Sequence, residues 1–344
     1  MGVQVGVIGA TGLVGQEMLR ILEARSFPVD RLRAYASARS EGRPLPFAGG
    51  EVTCEVLRDG CFEGLDLVIV DVDEPLAVEW APVAAASGTR VVDNSAAFRM
   101  DPEVPLVVAE VNPEDLRELP KGIASCPNCT TMVLVTALAP LHRAAGIERM
   151  VISTYQSVSG KGKAGIEELE GQWAKLDGAA EQLRRAATVP GLIVAGEVWP
   201  KPIAGNLIPL AGSLRDAGYT SEEWKLVHES RKILHDEAMR VTATCVRVPV
   251  FVGHAMTANV AFREPMTRER AAALLAGAPG VELVDGGAGA PTALEGAGID
   301  PVLVGRLRED PSQANTLDLW VTGDNLRKGA ALNAVQMAEV LLRA

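Results

Sequence analysis

The N-terminal third of the chain alternates short apolar runs rich in β-branched residues with segments whose apolar residues follow a helical period. The first run, Val3–Ile8, leads through a glycine-containing turn into apolar positions at helical spacing over residues 17–22. Further predicted strands are Leu32–Ala36, Leu67–Val72, Arg90–Val92 and Leu106–Val108. This alternation is typical of a parallel, doubly wound sheet of the Rossmann type.

The pattern changes after a predicted helix over Thr130–Ala145. The next strand, Met150–Tyr155, and the runs Arg240–Val248, Thr257–Phe262 and Thr316–Val321 alternate more regularly, which favours a mixed sheet. Val281–Gly298 is rich in Gly, Ala and Pro and predicts a loop, whereas Leu326–Leu342 predicts an amphipathic helix.

We therefore predict an α/β protein of two domains. The first covers residues 1–128, and helix 325–344 packs back onto it; the second, an α+β domain, covers residues 129–324.

Composition narrows the function classes. The 344 residues are 48% hydrophobic and 22% charged, which is enough for a globular core. A net charge of -11 argues against nucleic-acid or membrane partners, so an anionic substrate would need a few local Arg and Lys residues. Five scattered cysteines and four histidines predict neither a disulfide framework nor a metal site. Without a signal-peptide pattern or a long apolar stretch, we expect a cytoplasmic protein.

Glycines at positions 9, 12 and 15 lie between the first predicted strand and helix. In that context the backbone N–H groups of Thr11, Gly12, Leu13 and Val14 can bind a pyrophosphate at a helix N-terminus, beside the turn at Gly9. An ordinary tight turn is the alternative. The position between strand and helix favours dinucleotide binding.

The second predicted strand runs into Ser37-Ala38-Arg39-Ser40 and lacks the acidic residue that NAD-preferring sites use for the ribose 2′-hydroxyl. A guanidinium can make two hydrogen bonds to a 2′-phosphate, so Ser37, Arg39 and Ser40 predict NADP. A solvated surface arginine is the competing interpretation.

Cys129 lies in Pro127-Asn128-Cys129, at the start of a predicted helix where backbone N–H groups are expected to lower its pKa. Cys126 and Cys129 could form a redox pair or half of a metal site, or Cys129 could be a single catalytic thiol. A single thiol is favoured, because no second Cys-x-x-Cys exists and the context is not thioredoxin-like.

A thiol that forms a covalent intermediate needs an acid/base group. His254 lies in a predicted glycine-flanked turn between two strands, although a lone histidine is often structural. Arg247, seven residues upstream, can bind a carboxylate through two hydrogen bonds, or it can be an ordinary strand-surface arginine.

These motifs together resemble the aspartate-semialdehyde dehydrogenase family over nearly the full length of the chain. The resemblance rests on Gly9–Gly15, Ser37–Ser40, Asp93–Met100, Pro127–Thr131, Thr154–Gln156, Ser159-Gly160, Glu222–Lys225, Arg247–Val250, Gly253-His254 and Asp324–Ala330. The related N-acetylglutamyl-phosphate reductases typically carry Pro-Gly-Cys, so Asn128 argues against them.

The resemblance implies that NADPH reduces L-aspartyl 4-phosphate to L-aspartate 4-semialdehyde and phosphate, on the route to lysine, threonine and methionine. Cys129 would carry the thioester and His254 would transfer protons. The second domain would be catalytic and would form a homodimer or homotetramer. The remaining implied roles are Gln156 and Asn128 for positioning the substrate, Arg247 and Glu222 for its amino-acid end, Arg99 and Lys225 for its phosphate, and Ser159, Gly160 and Asn325 for the cofactor.

One segment departs from the family pattern. After the strand Leu67–Val70 the family usually has a loop of small residues beside the cofactor, but this chain has Asp71-Val72-Asp73-Glu74-Pro75, and Lys161 stands where a small residue is usual. Such a loop either weakens cofactor binding or points outward. Two other functions stay open: a paralogue acting on a related acyl phosphate or aldehyde, and a non-catalytic NADP-binding homologue. Retention of Cys129 and His254 argues against the second.

Overall fold

The computed structural model describes residues 2–185, 196–284 and 290–343 and organises them around two β-sheets. The first sheet has seven strands in the order β3-β4-β2-β1-β5-β6-β7. They are β1 (Val3–Ile8), β2 (Val29–Tyr35), β3 (Pro44–Phe47), β4 (Gly50–Glu55), β5 (Leu67–Val70), β6 (Arg90–Asp93) and β7 (Ile123–Ser125). All neighbours are parallel except β3 and β4, which form an antiparallel hairpin at the edge.

Helices cover both sheets. They are α1 (Leu13–Ala24), α2 (Glu74–Ala86), α3 (Cys129–Ala145), α4 (Gly162–Leu176), α5 (Ala180–Arg185), α6 (Ser221–Ile233), α7 (Arg268–Ala276), α8 (Ala293–Gly296) and α9 (Leu332–Arg343). Within the described ranges, none of them combines the length and apolarity needed to cross a membrane.

The central strands of the first sheet are apolar on both faces because helices cover both faces. Val5 and Val7 of β1 share an apolar cluster with Met18 of α1, whereas Val68 of β5 belongs to a second cluster with Ala81 of α2. The sheet is doubly wound, which confirms the predicted fold class.

The second sheet is mixed and has the order β11-β12-β13-β10-β8-β9. Its strands are β8 (Ile147–Gln156), β9 (Arg240–Arg247), β10 (His254–Phe262), β11 (Val281–Leu283), β12 (Val302–Glu309) and β13 (Thr316–Gly323). β8 pairs in parallel with β9 and antiparallel with β10. The first residue of β10 and the last residues of β8 and β9 therefore reach the same edge of this sheet.

Two sequence predictions about secondary structure were wrong. Leu106–Val108 is buried but makes only an isolated bridge, Leu106 to Ser125, and so is not a strand. The predicted loop Val281–Gly298 contains β11 and α8, and its residues 285–289 lie outside the described part of the chain.

The C-terminal segment returns to the first sheet. A π-helical turn, Arg327–Ala331, precedes α9, and Glu339 forms an ion pair with Arg25 next to α1 at 2.7 Å. Within the turn, a Cβ atom at Gly329 would lie 3.0 Å from the Cβ of Cys129. This segment therefore packs against the start of α3 and needs glycine to do so.

Candidate active site

Cys129 is the first residue of α3, and its sulfur lies 3.2 Å from Nε2 of His254. Asn128 is the N-cap of α3, where its Oδ1 accepts a hydrogen bond from the Thr130 N–H at 3.0 Å. His254 is not in the predicted turn but is the first residue of β10; the turn precedes it at Gly253, whose φ is 93°. The fold thus joins two predicted residues that are 125 positions apart.

The backbone fixes which nitrogen of His254 carries the proton. Nδ1 accepts the backbone N–H of Ser157 at 3.1 Å, and an amide N–H can only donate. The proton of the neutral imidazole is therefore assigned to Nε2, which faces the sulfur of Cys129. The Ser157 hydroxyl lies 3.0 Å from the same Nδ1 and donates to Oδ1 of Asn325 at 2.9 Å. Sequence analysis assigned no role to Ser157.

Burial keeps both members of this pair uncharged. It raises the pKa of the Cys129 thiol to about 11, an effect that Glu222 reinforces and the neighbouring cations oppose. Burial, reinforced by Arg247, also lowers the pKa of His254 to about 3. The expectation that the start of α3 lowers the thiol pKa was therefore wrong, because burial outweighs the effect of the neighbouring cations.

One face of α6 presents four charged side chains to the site. Glu222, Lys225, Glu229 and Lys232 are separated by three, four and three residues, which places them on a single side of a helix. We call these four residues the α6 charge row. Thr220 fixes the start of the helix through a capping box with Glu223.

The first half of the α6 charge row contacts predicted site residues. Lys225 donates to Oε1 of Glu222 at 2.7 Å, while Oε2 of Glu222 accepts from Asn128 Nδ2 at 3.0 Å and lies 3.5 Å from Gln156 Nε2. Lys225, Arg247 and hydrogen bonds overcome the burial of Glu222 and lower its pKa to about 2. Glu222 is therefore a carboxylate throughout the physiological pH range.

The second half of the α6 charge row holds Arg99 and Asn128. Oε2 of Glu229 accepts the Asn128 backbone N–H at 2.6 Å, and its Oε1 lies 3.2 Å from Nη1 of Arg99. Lys232 donates to the carbonyls of Arg99, Asp101 and Val104 at 2.8, 2.8 and 2.9 Å. Sequence analysis missed Glu229 and Lys232, although their spacing from Glu222 and Lys225 was a readable signal.

Replacing Glu229 with alanine is expected to lower the free energy of unfolding by about 3–5 kcal/mol, because it leaves Arg99 unpaired in a buried position. Urea denaturation measures this loss. Glu229→Gln should lose less, because an amide oxygen can still accept the Asn128 N–H. Glu237→Ala is the matched control, because Glu237 is exposed just beyond α6. Equal stability of the Glu229 and Glu237 variants would contradict the structural role.

Three buried polar atoms of the predicted substrate residues have no hydrogen-bond partner among the described residues: Nε of Arg99, Nε of Arg247 and Oε1 of Gln156. Arg247 is held by Ser157 O at 3.1 Å and lies over the Trp199 ring at 5.5 Å. Buried polar groups are usually paired with protein, water or ligand, so these three atoms are free to bind a polar group.

A cavity of about 440 Å³ joins Cys129 to the glycine turn. Twelve of the predicted site residues line it: Gly12, Leu13, Val14, Arg99, Asn128, Cys129, Ser159, Gly160, Glu222, Lys225, Arg247 and Asn325. His254 and Gln156 reach it through Cys129 and Glu222. Gly9, Thr11, Ser37, Arg39 and Ser40 do not line it.

The glycine turn leaves helix-terminal donors open. Gly12 is the N-cap of α1 and provides no side-chain cap, so the first N–H groups of α1 have no intrahelical partner. Gly9 has φ of 87°, and a Cβ there would lie 2.0 Å from the Asp71 carbonyl oxygen. Only glycine permits this approach of the turn to the end of β5.

Arg39 is exposed and makes no hydrogen bond or ion pair with any described residue. It lies in a 3-10 turn, Ala38–Ser40, that follows β2. The glycine turn is adjacent, because the N–H groups of Gly9 and Ala10 both bind the carbonyl of Tyr35 at 2.9 and 3.1 Å.

The three carboxylates of the acidic loop, Asp71, Asp73 and Glu74, lie in different environments. Asp73 and Glu74 are exposed at the start of α2, where a helix N-terminus favours negative charge. Asp71 instead lines the cavity, and its Oδ1 accepts from Asn94 Nδ2 at 2.7 Å. Lys161 is exposed and also belongs to the cavity lining. Asp73 and Glu74 therefore point outward, as one of the two interpretations expected, whereas Asp71 does not.

Cys126 differs from Cys129 in its exposure and in its neighbours. It is fully buried, its sulfur contacts Met337 Sδ at 3.5 Å, and burial raises its pKa to about 12. Cys126 does not line the cavity, and the thiol that pairs with His254 is that of Cys129. The environment favours a single reactive thiol at Cys129.

Two family profiles match most of the chain. The profile of the semialdehyde dehydrogenase NAD-binding domain matches residues 4–119, and that of the semialdehyde dehydrogenase dimerisation domain matches residues 138–328. The aspartate-semialdehyde dehydrogenase of Streptomyces akiyoshiensis is 49% identical over 340 residues, 98% of each chain. That of Aquifex aeolicus is 44% identical over 350 residues, 100% of this chain and 99% of that protein.

A solved structure is similar over the same length. The crystal structure of aspartate semialdehyde dehydrogenase II complexed with ASA from Vibrio cholerae superimposes with a TM-score of 0.94 at 43% identity, covering 100% of this chain and 99% of that one. The chain thus contains an NAD(P)-binding domain and a dimerisation domain. It belongs to the aspartate-semialdehyde dehydrogenase family.

Proposed function

We propose that this protein is an NADP-dependent dehydrogenase that interconverts L-aspartyl 4-phosphate and L-aspartate 4-semialdehyde plus phosphate. The observation that carries the proposal is the 3.2 Å contact between Cys129 Sγ and His254 Nε2, because Cys129 lines a cavity whose other lining residues include Arg99, Lys225 and Arg247. A thiol paired with an imidazole is the arrangement that covalent acyl transfer requires.

The cavity fits a dinucleotide. The open N–H groups at the start of α1 suit a pyrophosphate, and Gly160 leaves room beside the catalytic pair, because a Cβ there would lie 2.9 Å from Nη1 of Arg247. In this proposal Gly9, Thr11, Gly12, Leu13 and Val14 bind the pyrophosphate. Ser159, Gly160 and Asn325 contact the nicotinamide half, and Ser37, Arg39 and Ser40 bind the 2′-phosphate. When bound, NADPH supplies the hydride.

The Cys129 sulfur attacks the acyl carbon, the bond between that carbon and the phosphate oxygen breaks, and the thiol proton leaves with the phosphate. A neutral thioester remains on the sulfur. A thioester accepts a hydride more readily than a carboxylate does, which is the reason for the covalent step. The Nε2–H of His254 faces the sulfur and therefore stabilises the negative charge that develops on it during attack and again when the aldehyde is released. His254 also transfers the proton of the thiohemiacetal oxygen.

Different charged side chains bind different groups of the substrate. Arg247 and Glu222 bind its carboxylate and ammonium groups, and Arg99 and Lys225 bind its phosphate. Gln156, whose Oε1 has no partner among the described residues, positions the substrate, and Asn128 positions the reacting carbonyl from the start of α3. The unpartnered nitrogens of Arg99 and Arg247 are the donors that such a ligand would satisfy.

A spectrophotometric assay with aspartate semialdehyde, phosphate and NADP tests the proposal. NADPH formation at 340 nm, absent without phosphate, is the expected result. Turnover of another aldehyde but not of this one would instead support the paralogue. NADPH binding without turnover of any aldehyde would support the non-catalytic homologue.

Arg39→Ala is expected to raise the KM for NADP by roughly 10- to 100-fold and to change the KM for NAD little, because one charge-assisted phosphate contact contributes about 1.5–3 kcal/mol. Initial rates with each cofactor measure this. Arg31→Ala is the matched control, since Arg31 is an exposed arginine on β2. An unchanged preference between NADP and NAD in Arg39→Ala would refute the 2′-phosphate assignment.

We also propose two domain boundaries and an oligomeric state for the protein. A cofactor domain over residues 1–128, with helix 325–344 packed back onto it, precedes a catalytic and dimerisation domain over residues 129–324. The protein is a cytoplasmic homodimer or homotetramer. Exposed leucines at positions 207, 210 and 214, within the range matched by the dimerisation profile, support assembly through the second domain.

A further inference from the structure

Asp71 places a carboxyl group where the proposed dinucleotide lies. Asp71 directly follows β5, and its backbone N–H donates to the carbonyl of Ile8 at 2.9 Å. Gly9 of the glycine turn packs against the backbone carbonyl of Asp71. The Asp71 side chain lines the cavity together with the first residues of α1 and with Cys129. Asp71 therefore belongs to the same cavity as the glycine turn and the nucleophile.

The two oxygens of this carboxyl group differ. Oδ1 accepts the hydrogen bond of Asn94 Nδ2 at 2.7 Å, whereas Oδ2 has no partner among the described residues. An oxygen next to an open cavity can bind a proton and then donate it to a ligand acceptor.

Charges from each neighbouring element act on Asp71. From β6, the buried carboxyl of Asp93 adds a like charge. From α2, Asp73 and Glu74 point to solvent. The cavity lining also contains four cations, namely Arg99, Lys161, Lys225 and Arg247. Among them, Arg99 donates to the backbone carbonyl of Asn94, the residue that binds Asp71. The α1 side contributes backbone rather than charged side chains.

Burial dominates the balance of these effects. It raises the pKa of Asp71 from 3.8 to about 6, opposed by the hydrogen bond from Asn94 and reinforced by Asp93. Asp71 is thus mostly ionised at neutral pH in the free protein. A further negative charge nearby would raise its pKa again and favour the protonated form at neutral pH.

We propose that Asp71 takes up a proton when the anionic cofactor binds, so that cofactor affinity falls as the pH rises from 6 to 8. The inference rests on the proposed function, because it requires a dinucleotide in this cavity. A bound pyrophosphate adds negative charge beside the carboxylate and favours its neutral form. The proton comes from solvent, resides on Oδ2 and removes the repulsion between the carboxylate and the phosphates.

The sign follows from linkage. If the complex binds more protons than the free protein, the dissociation constant rises with pH between the pKa of Asp71 in the free protein and its higher value in the complex. One proton taken up per ligand corresponds to about tenfold in affinity per pH unit. We expect the NADPH dissociation constant of the wild type to rise roughly tenfold more than that of Asp71→Asn between pH 6 and 8.

Fluorescence titration of the full-length protein with NADPH at pH 6, 7 and 8 gives the dissociation constants without relying on turnover. Asp71→Asn keeps the shape and the Asn94 contact but cannot ionise, so it should bind NADPH more tightly than the wild type at pH 8. The 2′-phosphate of the ligand titrates in the same range, but its contribution is common to both proteins and cancels in their ratio. Asp73→Asn removes an exposed charge from the same loop and should follow the wild type.

Isothermal titration calorimetry of the wild type in two buffers of different ionisation enthalpy counts the protons directly. At pH 7 the wild type should take up more protons than Asp71→Asn, and Asp71→Ser should agree with Asp71→Asn. Parallel pH profiles for wild type and Asp71→Asn, or equal proton uptake, would overturn the inference. Weaker binding by Asp71→Asn at every pH would also overturn it, because the carboxylate would then be an acceptor for the ligand.

The two proposals fail in different ways. NADPH binding with no difference between wild type and Asp71→Asn removes the role of Asp71 and leaves the proposed function intact. Failure of the wild type to bind NADPH at any pH removes the proposed cofactor and the inference with it.

Discussion

Replacing Cys129 with alanine is expected to abolish turnover, lowering kcat by at least about 10⁴-fold in the assay with aspartate semialdehyde, phosphate and NADP. Without the sulfur no thioester forms, and no other thiol of the described chain lines the cavity. The substitution removes one half-buried atom at the start of α3, so the fold and the binding of NADPH should persist. NADPH titration of the variant checks that only the chemistry is lost.

Cys126→Ala is the matched control, because it removes a thiol three positions away that contacts Met337 instead of the cavity. Its kcat should stay near that of the wild type, after correction for the folded fraction. Comparable losses in both variants would support a paired-thiol mechanism and contradict catalysis by Cys129 alone.

The second large effect is expected at His254. His254→Asn should lower kcat by about 10²- to 10⁴-fold, because an amide cannot transfer a proton. Asparagine can still occupy the start of β10, and the unpartnered Ser157 N–H is the main structural cost. Steady-state rates across pH 6–9 measure the effect, together with NADPH affinity as a check of the cofactor site.

His228→Gln provides the control, because His228 is exposed on α6 and stacks on Trp224 outside the cavity. It should retain nearly full activity. If His254→Asn also kept kcat within about threefold of the wild type, His254 would not be the proton-transfer group, since general acid–base catalysis contributes at least 10²-fold.

Local signals predicted the fold well where they were strong. Val3–Ile8 is a strand with the predicted bounds, and the glycine turn after it starts α1, because a β-branched run followed by glycines leaves few alternatives. The family, the doubly wound sheet and the mixed second sheet are confirmed. The strand prediction for Leu106–Val108 was wrong, because an apolar run indicates burial but cannot show whether a neighbouring strand pairs with it.

The candidate site was predictable as a set of residues but not as a set of contacts. Cys129 and His254 carry their own chemistry, so their motifs are visible in sequence. Ser157 and Glu229 act through a backbone donor and a buried ion pair, and these depend on the packing of β8, β10 and α6. The roles assigned to the individual site residues remain predictions.

The direction of the thiol pKa shows the same limit. The start of α3 is readable from Asn128 and Cys129, and it favours a thiolate. The burial of Cys129 and its proximity to Glu222 cannot be read from the sequence. Together they raise the pKa of Cys129 to about 11. Electrostatic effects on a pKa depend on distances in space, so their relative sizes cannot be predicted from separation along the chain.

The α6 charge row also constrains how the length of this helix can evolve. Each residue in a helix turns the following side chains by about 100°, so one inserted or deleted residue between Lys225 and Glu229 would rotate half of the row away from the other half. Glu229 and Lys232 would lose Arg99 and the loop behind it while Glu222 kept its place. Point substitutions elsewhere on α6 leave this phase intact, whereas indels within it do not, so related sequences should tolerate the former and exclude the latter.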